Sequence, residues 1–236
     1  MIRGYDKLAL DYELLLDLRF TEGVGLVTRD EAKPHHKITL VGAPAWTQTA
    51  NNITVPYFDG AGDYMECVAA DTPDLNFTTG DYSIACWVYP IDTSTSMMIA
   101  GKYLLDSVGW ELYLFALLAD GYLTLRHHHA SLAPDNRDGC YSTDWREKVW
   151  QLMVVTRSGL YPLHYRNAIP LTMSYEVGGV KNPDSAIARD LVIGTRFSKD
   201  QNWHKGNMWG LRIWNRALSP ADVQLLFKME HRFFEV

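Results

Sequence analysis

The sequence predicts an all-β fold, a jelly-roll β-sandwich of two antiparallel sheets with a short C-terminal helix. Three observations predict it. Runs rich in β-branched and aromatic residues recur at short intervals, separated by Gly, Pro, Asp and Asn. Helical periodicity is almost absent before residue 219. No shift of composition divides the 236 residues, so we expect one domain over 1–236 with its core at about 10–228.

Roughly a dozen segments have the composition of strands. In chain order they are 13–20, 37–42, 54–60, 64–68, 82–90, 97–103, 110–117, 122–129, 150–158, 161–167, 190–197 and 207–218. The segment YSIACWVYP at 82–90 is mostly apolar at both sets of alternate positions. This pattern predicts a strand that is covered on both faces. Pro90 ends the strand, because it removes a donor from the hydrogen-bond ladder.

One helix is predicted at about 220–231. Ser219 is an N-cap residue, and Pro220 suits the first helical position, where no N–H partner is needed. Asp222 resembles the acidic member of a capping box. An apolar stripe at helical spacing predicts packing on the sandwich, with Glu230 outside the stripe; its members are Val223, Leu226 and Phe227.

Charge and composition exclude several classes of function. The net charge of −6 and the lack of a basic run argue against nucleic-acid binding. Apolar runs such as QLMVVT near residue 151 are too short to span a bilayer. The acidic N-terminus lacks the features of a signal peptide, so we expect a cytoplasmic protein or one released by cell lysis. Three cysteines without framework spacing indicate free thiols; they are Cys67, Cys86 and Cys140.

Several segments in this order resemble laminin-G-like, concanavalin-A-like jelly-roll domains over about residues 10–228. They read LLLDLRFTEGVG, YFDGAGDYMECVAADTPDLNFTTGDYSIACWVYP, GWELYL, VWQLMVVTRSG, DLVIGTRF and GNMWGLRIWNRALSPADV. The pair LNFTTGDYSIACWVYP and LRIWNRALSPADV is the most specific part. The resemblance implies that the first long strand, 13–20, pairs with the last, 207–218. The short, unsecreted arrangement looks like laminin-G-like proteins encoded by tailed phages.

The sequence departs from the family pattern at two places. Family members often carry an acidic pair just before the final strand, where this chain has Trp209 and Gly210. They often carry a histidine after the tryptophan that corresponds to Trp150, where this chain has Gln151. Any function that depends on those acidic residues is therefore not expected to carry over.

The resemblance implies a possible calcium site. Ca²⁺ prefers six to eight oxygen ligands, usually with several carboxylates. The turn FDGAGDY offers Asp59 and Asp63, and ADTPDL adds Asp71 and Asp74. The alternative is that these aspartates are turn residues that bind their own backbone.

Three consecutive histidines, His127 to His129, raise the question of a transition-metal site. On a strand, His127 and His129 share one face and His128 takes the other. Zinc needs a third and a fourth ligand, and no zinc-binding spacing is present. Further candidate ligands are Asp138 and Cys140 in the following loop, and His35, His36 and His204 elsewhere. The alternative is that His127 and His129 form hydrogen bonds at the end of the strand.

Exposed aromatic rings are the candidates for contact with a glycan or a protein partner. Trp203 is the first choice, because KDQNWHKGN is polar and typical of a loop. The candidate contacts also include His204, Trp145 and Trp110, and the wider set of candidate platforms adds Trp46 and Trp209. A glycan contact and a protein contact both use such an amphipathic ring, and the sequence leaves the two open.

Enzyme signatures are missing from the sequence. No E-x-D-x-x-E string, G-x-S-x-G elbow or glycine-rich phosphate loop occurs, and Glu111 has no carboxylate partner on its strand. We therefore expect a non-catalytic interaction module. The main hypothesis is a virion-associated protein, in a capsid shell or a tail, that forms a homo-oligomer with Phe233 and Phe234 as assembly contacts. The alternatives are a free carbohydrate-binding module and a divergent glycan-active enzyme.

Overall fold

The computed structural model has two antiparallel sheets and describes residues 9–92, 94–103, 109–115, 121–129, 137–176, 178–183, 189–234 and 236. The strands are β1 (Leu14–Leu18), β2 (Val27–Arg29), β3 (Lys37–Val41), β4 (Ala45–Gln48), β5 (Thr54–Asp59), β6 (Tyr64–Cys67), β7 (Tyr82–Pro90), β8 (Met97–Tyr103), β9 (Gly109–Phe115), β10 (Gly121–His128), β11 (Arg137–Trp145), β12 (Gln151–Arg157), β13 (Leu163–Arg166), β14 (Ile169–Pro170), β15 (Met173–Tyr175), β16 (Leu191–Ile193) and β17 (Lys205–Trp214). Helix α1 (Pro220–Glu230) follows the last strand.

The strand order gives a sandwich. One sheet has eight strands in the order β14-β13-β12-β7-β17-β5-β4, with β1 paired to β17 beside this path. The other has nine strands in the order β15-β11-β10-β9-β8-β16-β6-β3-β2. The predicted all-β sandwich is therefore confirmed. The pairing of β1 with β17, in which Leu16 lies opposite Ile213, confirms the pairing that the resemblance implies.

The segment 137–145 was expected to be a loop, and that expectation is wrong. It forms β11, in which Cys140 lies opposite Leu125 of β10 and opposite Tyr175 of β15. The segment RDGCYSTDW is rich in polar and turn-forming residues. Its strand conformation is stabilised by ladders on both sides, which a local pattern cannot reveal. Four short strands were also missed for lack of length; they are β2, β4, β14 and β15.

Strand β7 lies in the middle of the eight-stranded sheet, and both of its faces are covered. Tyr82 points inward, where its ring centroid is 5.9 Å from that of His127 in the other sheet. Alternation then turns Trp87 and Tyr89 to the outer face of the sheet. Trp87 is nevertheless fully buried, because α1 and the C-terminal residues pack over it. The sequence prediction of a strand covered on both faces is confirmed.

Helix α1 begins as predicted. Ser219 is the N-cap, its hydroxyl accepts the Asp222 N–H, and the Asp222 carboxylate accepts the Ser219 N–H in return. Glu230, however, is buried and does not lie on the solvent side as its position outside the apolar stripe predicted. It accepts a 2.9 Å hydrogen bond from Trp87 Nε1 and pairs with Arg212. The outer face of the sheet thus contains charged groups that a hydrophobic pattern does not anticipate.

The C-terminal aromatic residues pack on their own sandwich. Phe234 is only 4% exposed, with its ring centroid 4.5 Å from Trp87 and 4.5 Å from Trp150. The predicted role of Phe234 as an assembly contact is therefore corrected, because its ring is hidden within the chain. Phe233 is half-buried, and its ring contacts Trp209 at 6.1 Å.

All three cysteines are buried and free, as predicted. In the described part of the chain, no helix combines the length and the apolar character needed to cross a membrane.

Candidate functional site

Trp203 lies in the segment between β16 and β17 and is half-buried. Its ring centroid is 6.1 Å from that of Tyr64, with the rings tilted by 52°. Tyr64 opens β6, where Met65 and Cys67 belong to the core, so alternation turns Tyr64 to the outer face of the nine-stranded sheet. The two rings form a half-exposed aromatic pair on that face.

An ion pair borders the two rings. The Lys199 ammonium pairs with the carboxylate of Glu66 and lies 5.3 Å from the centroid of the Tyr64 ring. Partial burial acts to lower the pKa of Lys199, but hydrogen bonding to Glu66 outweighs it, and the net pKa is raised. Lys199 is therefore a stable cation. We call Tyr64, Glu66, Lys199 and Trp203 together the Trp203 surface.

Backbone contacts hold the segment that carries Trp203. The Met98 N–H donates to the Asn202 carbonyl at 2.9 Å, and the Thr195 hydroxyl donates to the Gln201 carbonyl at 2.9 Å. The His204 N–H donates to the Gly194 carbonyl at 2.7 Å. These bonds attach the loop to β8 and to the residues that follow β16, on both sides of Trp203, so the ring is positioned before any partner arrives.

His204, predicted as a contact residue, is buried, and its predicted role is corrected. Its ring meets Phe58 edge-on at 5.7 Å between centroids. Burial lowers the pKa of His204 to about 4. Trp203 and His204 are consecutive in the segment that leads into β17, and the first is half-buried whereas the second is fully buried.

Trp110 and Trp145 are also buried, which corrects their prediction as surface contacts. Trp110 is 1% exposed and donates from Nε1 to the Leu75 carbonyl at 3.0 Å. Trp145 lies directly over Gly121, where an added Cβ would fall 2.0 Å from its Nε1. These indole rings fill the interior and offer no face to a partner. Of the other tryptophan candidates, Trp209 is buried beneath Phe233 and Phe234, and Trp46 is half-buried.

Asp59 and Asp63, the candidate calcium ligands, both form turn hydrogen bonds. The Ala61 N–H donates to Asp59 Oδ1 at 2.7 Å, and the Asp59 N–H donates to Asp63 Oδ2 at 3.1 Å. Burial, together with the neighbouring Asp59 charge, raises the pKa of Asp63. Within the described ranges, no three His, Cys, Asp or Glu side chains converge as metal ligands would. The calcium site stays a prediction.

Each of the three consecutive histidines has its own partners. His127 shares a 2.7 Å hydrogen bond with the Tyr82 hydroxyl and another with the Lys181 carbonyl. His128 stacks on Tyr103, and its Nε2 lies 3.2 Å from Glu111 Oε1. His129 Nε2 lies 3.2 Å from Asp138 Oδ2. The hydrogen-bonding alternative describes His127, whereas the contact of His129 Nε2 with Asp138 is an ion-pair contact.

The remaining candidate zinc ligands lie in two separate clusters. Buried His36 lies between Asp30 at 2.7 Å and Asp74 at 3.1 Å. Burial acts to lower the pKa of His36, but the hydrogen bonds to both carboxylates outweigh it, and the pKa is raised. Cys140 lies 3.5 Å from His164 in the core, where burial raises the pKa of the thiol to about 12. A thiol with so high a pKa is a poor nucleophile and a poor metal ligand at neutral pH.

Glu111, the carboxylate without a strand partner in the sequence, is buried beside His128 and Arg126. His128 lies 3.2 Å away, and Arg126 Nη1 lies 3.8 Å away. Burial acts to raise the pKa of Glu111, but His128 and Arg126 outweigh it, and the pKa is lowered. Such a carboxylate stays ionised and is not suited to act as a general acid.

A known family model matches the part of the chain that contains the Trp203 surface. The family model Laminin_G_3, described as the concanavalin A-like lectin/glucanases superfamily, matches residues 59–224. The chain belongs to this superfamily. The matched range includes all four residues of the Trp203 surface. Comparison with curated protein sequences gave no match for this lectin/glucanase-type chain.

Solved structures share the fold at low sequence identity. The receptor-binding domain of a botulinum neurotoxin C/D mosaic serotype matches with a TM-score of 0.70 and 12% identity, over 92% of this chain and 51% of that one. The binding domain of Paraclostridial Mosquitocidal Protein 1 gives 0.70 and 12%, over 93% and 53%. A botulinum serotype D ligand-binding domain in complex with N-acetylneuraminic acid gives 0.68 and 11%, over 95% and 53%. This lectin/glucanase-type chain spans about half the length of those chains.

Sequence reasoning selected Trp203 but missed its partners. Tyr64 and Lys199 meet because β6 and β16 are neighbours in the nine-stranded sheet. Trp203 follows Tyr64 by more than a hundred residues, and no local pattern links the two. The one usable signal was the alternation of YMEC, which places Tyr64 and Glu66 on the same face.

Proposed function

We propose that this chain is a non-catalytic glycan-binding module and that the Trp203 surface is its contact. The observation that carries the proposal is the half-exposed Trp203–Tyr64 pair beside the Glu66–Lys199 ion pair. The apolar face of a sugar ring packs on an aromatic ring, and its hydroxyls donate to a carboxylate and accept from an ammonium. The surface supplies all three kinds of partner side by side, because the Tyr64 ring lies 6.1 Å from the Trp203 ring and 5.3 Å from the Lys199 ammonium.

The non-catalytic part of the proposal rests on the state of the carboxylates. Glycoside hydrolysis needs two carboxyl groups about 5–10 Å apart, one of them kept protonated. Glu111 is enclosed by His128 and Arg126, and Glu66 is paired with Lys199. The lowered pKa of Glu111 disfavours the protonated form that a general acid needs. The similarity to receptor-binding domains, one of them in complex with a sialic acid, also supports a binding function.

Replacing Trp203 by Ala is expected to weaken glycan binding about tenfold, because a stacked ring contributes on the order of 1–1.5 kcal/mol. The measurement is a glycan array with Ca²⁺ present, followed by calorimetric titration of the oligosaccharides that bind. Tyr161→Ala is the matched control, since Tyr161 is 57% exposed and lies outside the Trp203 surface. A blank array for the unmodified protein contradicts the proposal. Equal affinity of Trp203→Ala and the unmodified protein contradicts the assignment of the surface.

One observation favours a second candidate function, assembly into a larger particle such as a virion shell or tail. Val24, Leu26 and Val27 are 75%, 53% and 45% exposed, and Val27 lies on β2 at the edge of the nine-stranded sheet. An exposed apolar edge strand favours pairing with another chain. Under this proposal, Val27→Asp is expected to reduce association with a second copy or with capsid or tail components, measured by analytical ultracentrifugation. A protein that stays monomeric and binds none of these components rules it out.

A further inference from the structure

A groove of about 460 Å³ runs across the outer face of the eight-stranded sheet. Its lining includes side chains of β4, β7 and β17, the segment before β12 and the C-terminal residues. This volume lies within the range of small-molecule sites, about 300–1,000 Å³. The Trp203 surface lies on the outer face of the other sheet, so the groove is a separate feature.

Two aromatic rings form one part of the groove. Tyr89 and Trp150 are half-buried, and their ring centroids are 5.6 Å apart. Phe234 contacts the Trp150 ring at 4.5 Å, and the Lys148 N–H donates to the Pro90 carbonyl at 2.7 Å. These contacts fix the orientation of Trp150 before a ligand binds, which lowers the entropic cost of binding.

Amide and hydroxyl groups line another part of the groove. Asn207 lies opposite Tyr89 in the ladder between β17 and β7. Its Nδ2 donates to the Thr47 hydroxyl at 2.9 Å and to the Pro56 carbonyl at 3.2 Å. Among the described residues nothing donates to Asn207 Oδ1, which leaves that oxygen as an acceptor. Gln48 is exposed at the rim and adds both a donor and an acceptor.

The charge of the lining sets the class of ligand. Of the groove-lining side chains in the described ranges, only Lys148 carries a formal charge, and it is exposed at the rim. An anionic ligand would need arginines or several cations to offset its desolvation. Aromatic rings beside neutral amides and hydroxyls instead match a ligand with apolar faces and many hydroxyl groups.

We propose that this groove is a second binding site and that it takes a neutral oligosaccharide. One pyranose ring packs on Trp150 and Tyr89. Its hydroxyls donate to Asn207 Oδ1 and exchange hydrogen bonds with the Gln48 side chain. The chain then has one glycan contact on the outer face of each sheet, which would allow it to bridge two glycan chains.

The test is saturation-transfer NMR with maltotriose, cellotriose and triacetylchitotriose in separate samples, and with 3′-sialyllactose as the charged comparison. At least one neutral trisaccharide is expected to receive saturation. Trp150→Ala is expected to lower its affinity at least tenfold, and Trp203→Ala to leave it unchanged. Because Trp150 also packs on Phe234, Gln48→Ala is measured in parallel; Gln48 is exposed, so the melting temperature should not change while affinity falls several-fold.

Three outcomes overturn the second site: no neutral trisaccharide binds, only 3′-sialyllactose binds, or affinity is the same in Trp150→Ala and Gln48→Ala as in the unmodified protein. Binding that is lost in Trp203→Ala but retained in both groove variants removes the groove and leaves the Trp203 surface as the glycan contact. Loss in the groove variants alone, with Trp203→Ala unaffected, supports the groove as a site separate from the Trp203 surface, which is tested by its own ligands on the glycan array. The two proposals therefore fail separately.

Discussion

Replacing Arg212 by Ala is expected to lower the free energy of unfolding by about 3–5 kcal/mol, because it leaves the buried Glu230 carboxylate without its cation and removes one of the two arginines that pair with buried Asp17. Arg212 Nε lies 2.7 Å from Asp17 Oδ1, and Nη2 lies 2.6 Å from Glu230 Oε1. All three side chains are below 10% exposed. Burial acts to lower the pKa of Arg212, but Glu230 and Asp17 outweigh it and raise it. The guanidinium is therefore charged at every pH at which the protein folds.

Urea unfolding at neutral pH, followed by tryptophan fluorescence, measures this change. The matched control is Arg146→Ala. Arg146 forms a 3.5 Å pair with Asp144, and both side chains are largely solvated at 66% and 47% exposure. The control is expected to cost less than about 1 kcal/mol, because solvent screens exposed pairs. Equal losses in the two variants would show that the buried cation is not needed to compensate Asp17 and Glu230.

Acidification below pH 6.5 is expected to destabilise the fold steeply, because several histidines are buried in their neutral form. Burial lowers the pKa of His127 and of His164 to about 3, and that of His204 to about 4. In the unfolded chain these groups titrate near 6.5. Their contribution is therefore complete above pH 6.5 and is lost as the pH falls toward the folded values. Each histidine contributes a slope of about 1.4 kcal/mol per pH unit, so three give about 4 kcal/mol per unit near pH 5.

His36 does not offset this loss. Its pKa is raised in the folded protein, so its stabilising contribution is already complete below the unfolded value of about 6.5 and declines only as the pH rises. Further acidification then adds nothing from this residue. The stabilising contribution of His36 is lost as the pH rises through its raised pKa, because deprotonation weakens the contact with Asp30 and Asp74.

Urea titrations at half-unit steps between pH 7 and pH 4.5 test the acid slope. His204→Gln is expected to reduce the slope by about one third, since one of the three buried imidazoles is then missing. His35→Gln is the control, because His35 is exposed. A stability that is flat from pH 7 to pH 5 would contradict the assignment of these histidines as buried neutral groups.

Sequence patterns predicted the elements whose signals are local. Strand β7 was placed at 82–90, the bounds that the structure has, because a run of apolar residues on both faces ends at Pro90. The start of α1 followed from Ser219, Pro220 and Asp222, whose hydrogen bonds form within four residues. Strand β11 was missed, since its polar sequence becomes a strand only through its neighbours on both sides.

The sequence by itself determined the all-β class, the C-terminal helix and Trp203 as the tryptophan to examine. Tertiary structure alone decided which side chains meet. It placed Tyr64 beside Trp203, Asp17 and Glu230 around Arg212, and Phe234 over the outer face of the sheet. It also buried Trp110, Trp145 and His204, which the sequence offered as contacts. The physical reason is that ladder partners in a sandwich come from distant segments, so neither burial nor pairing follows from the composition of any one segment.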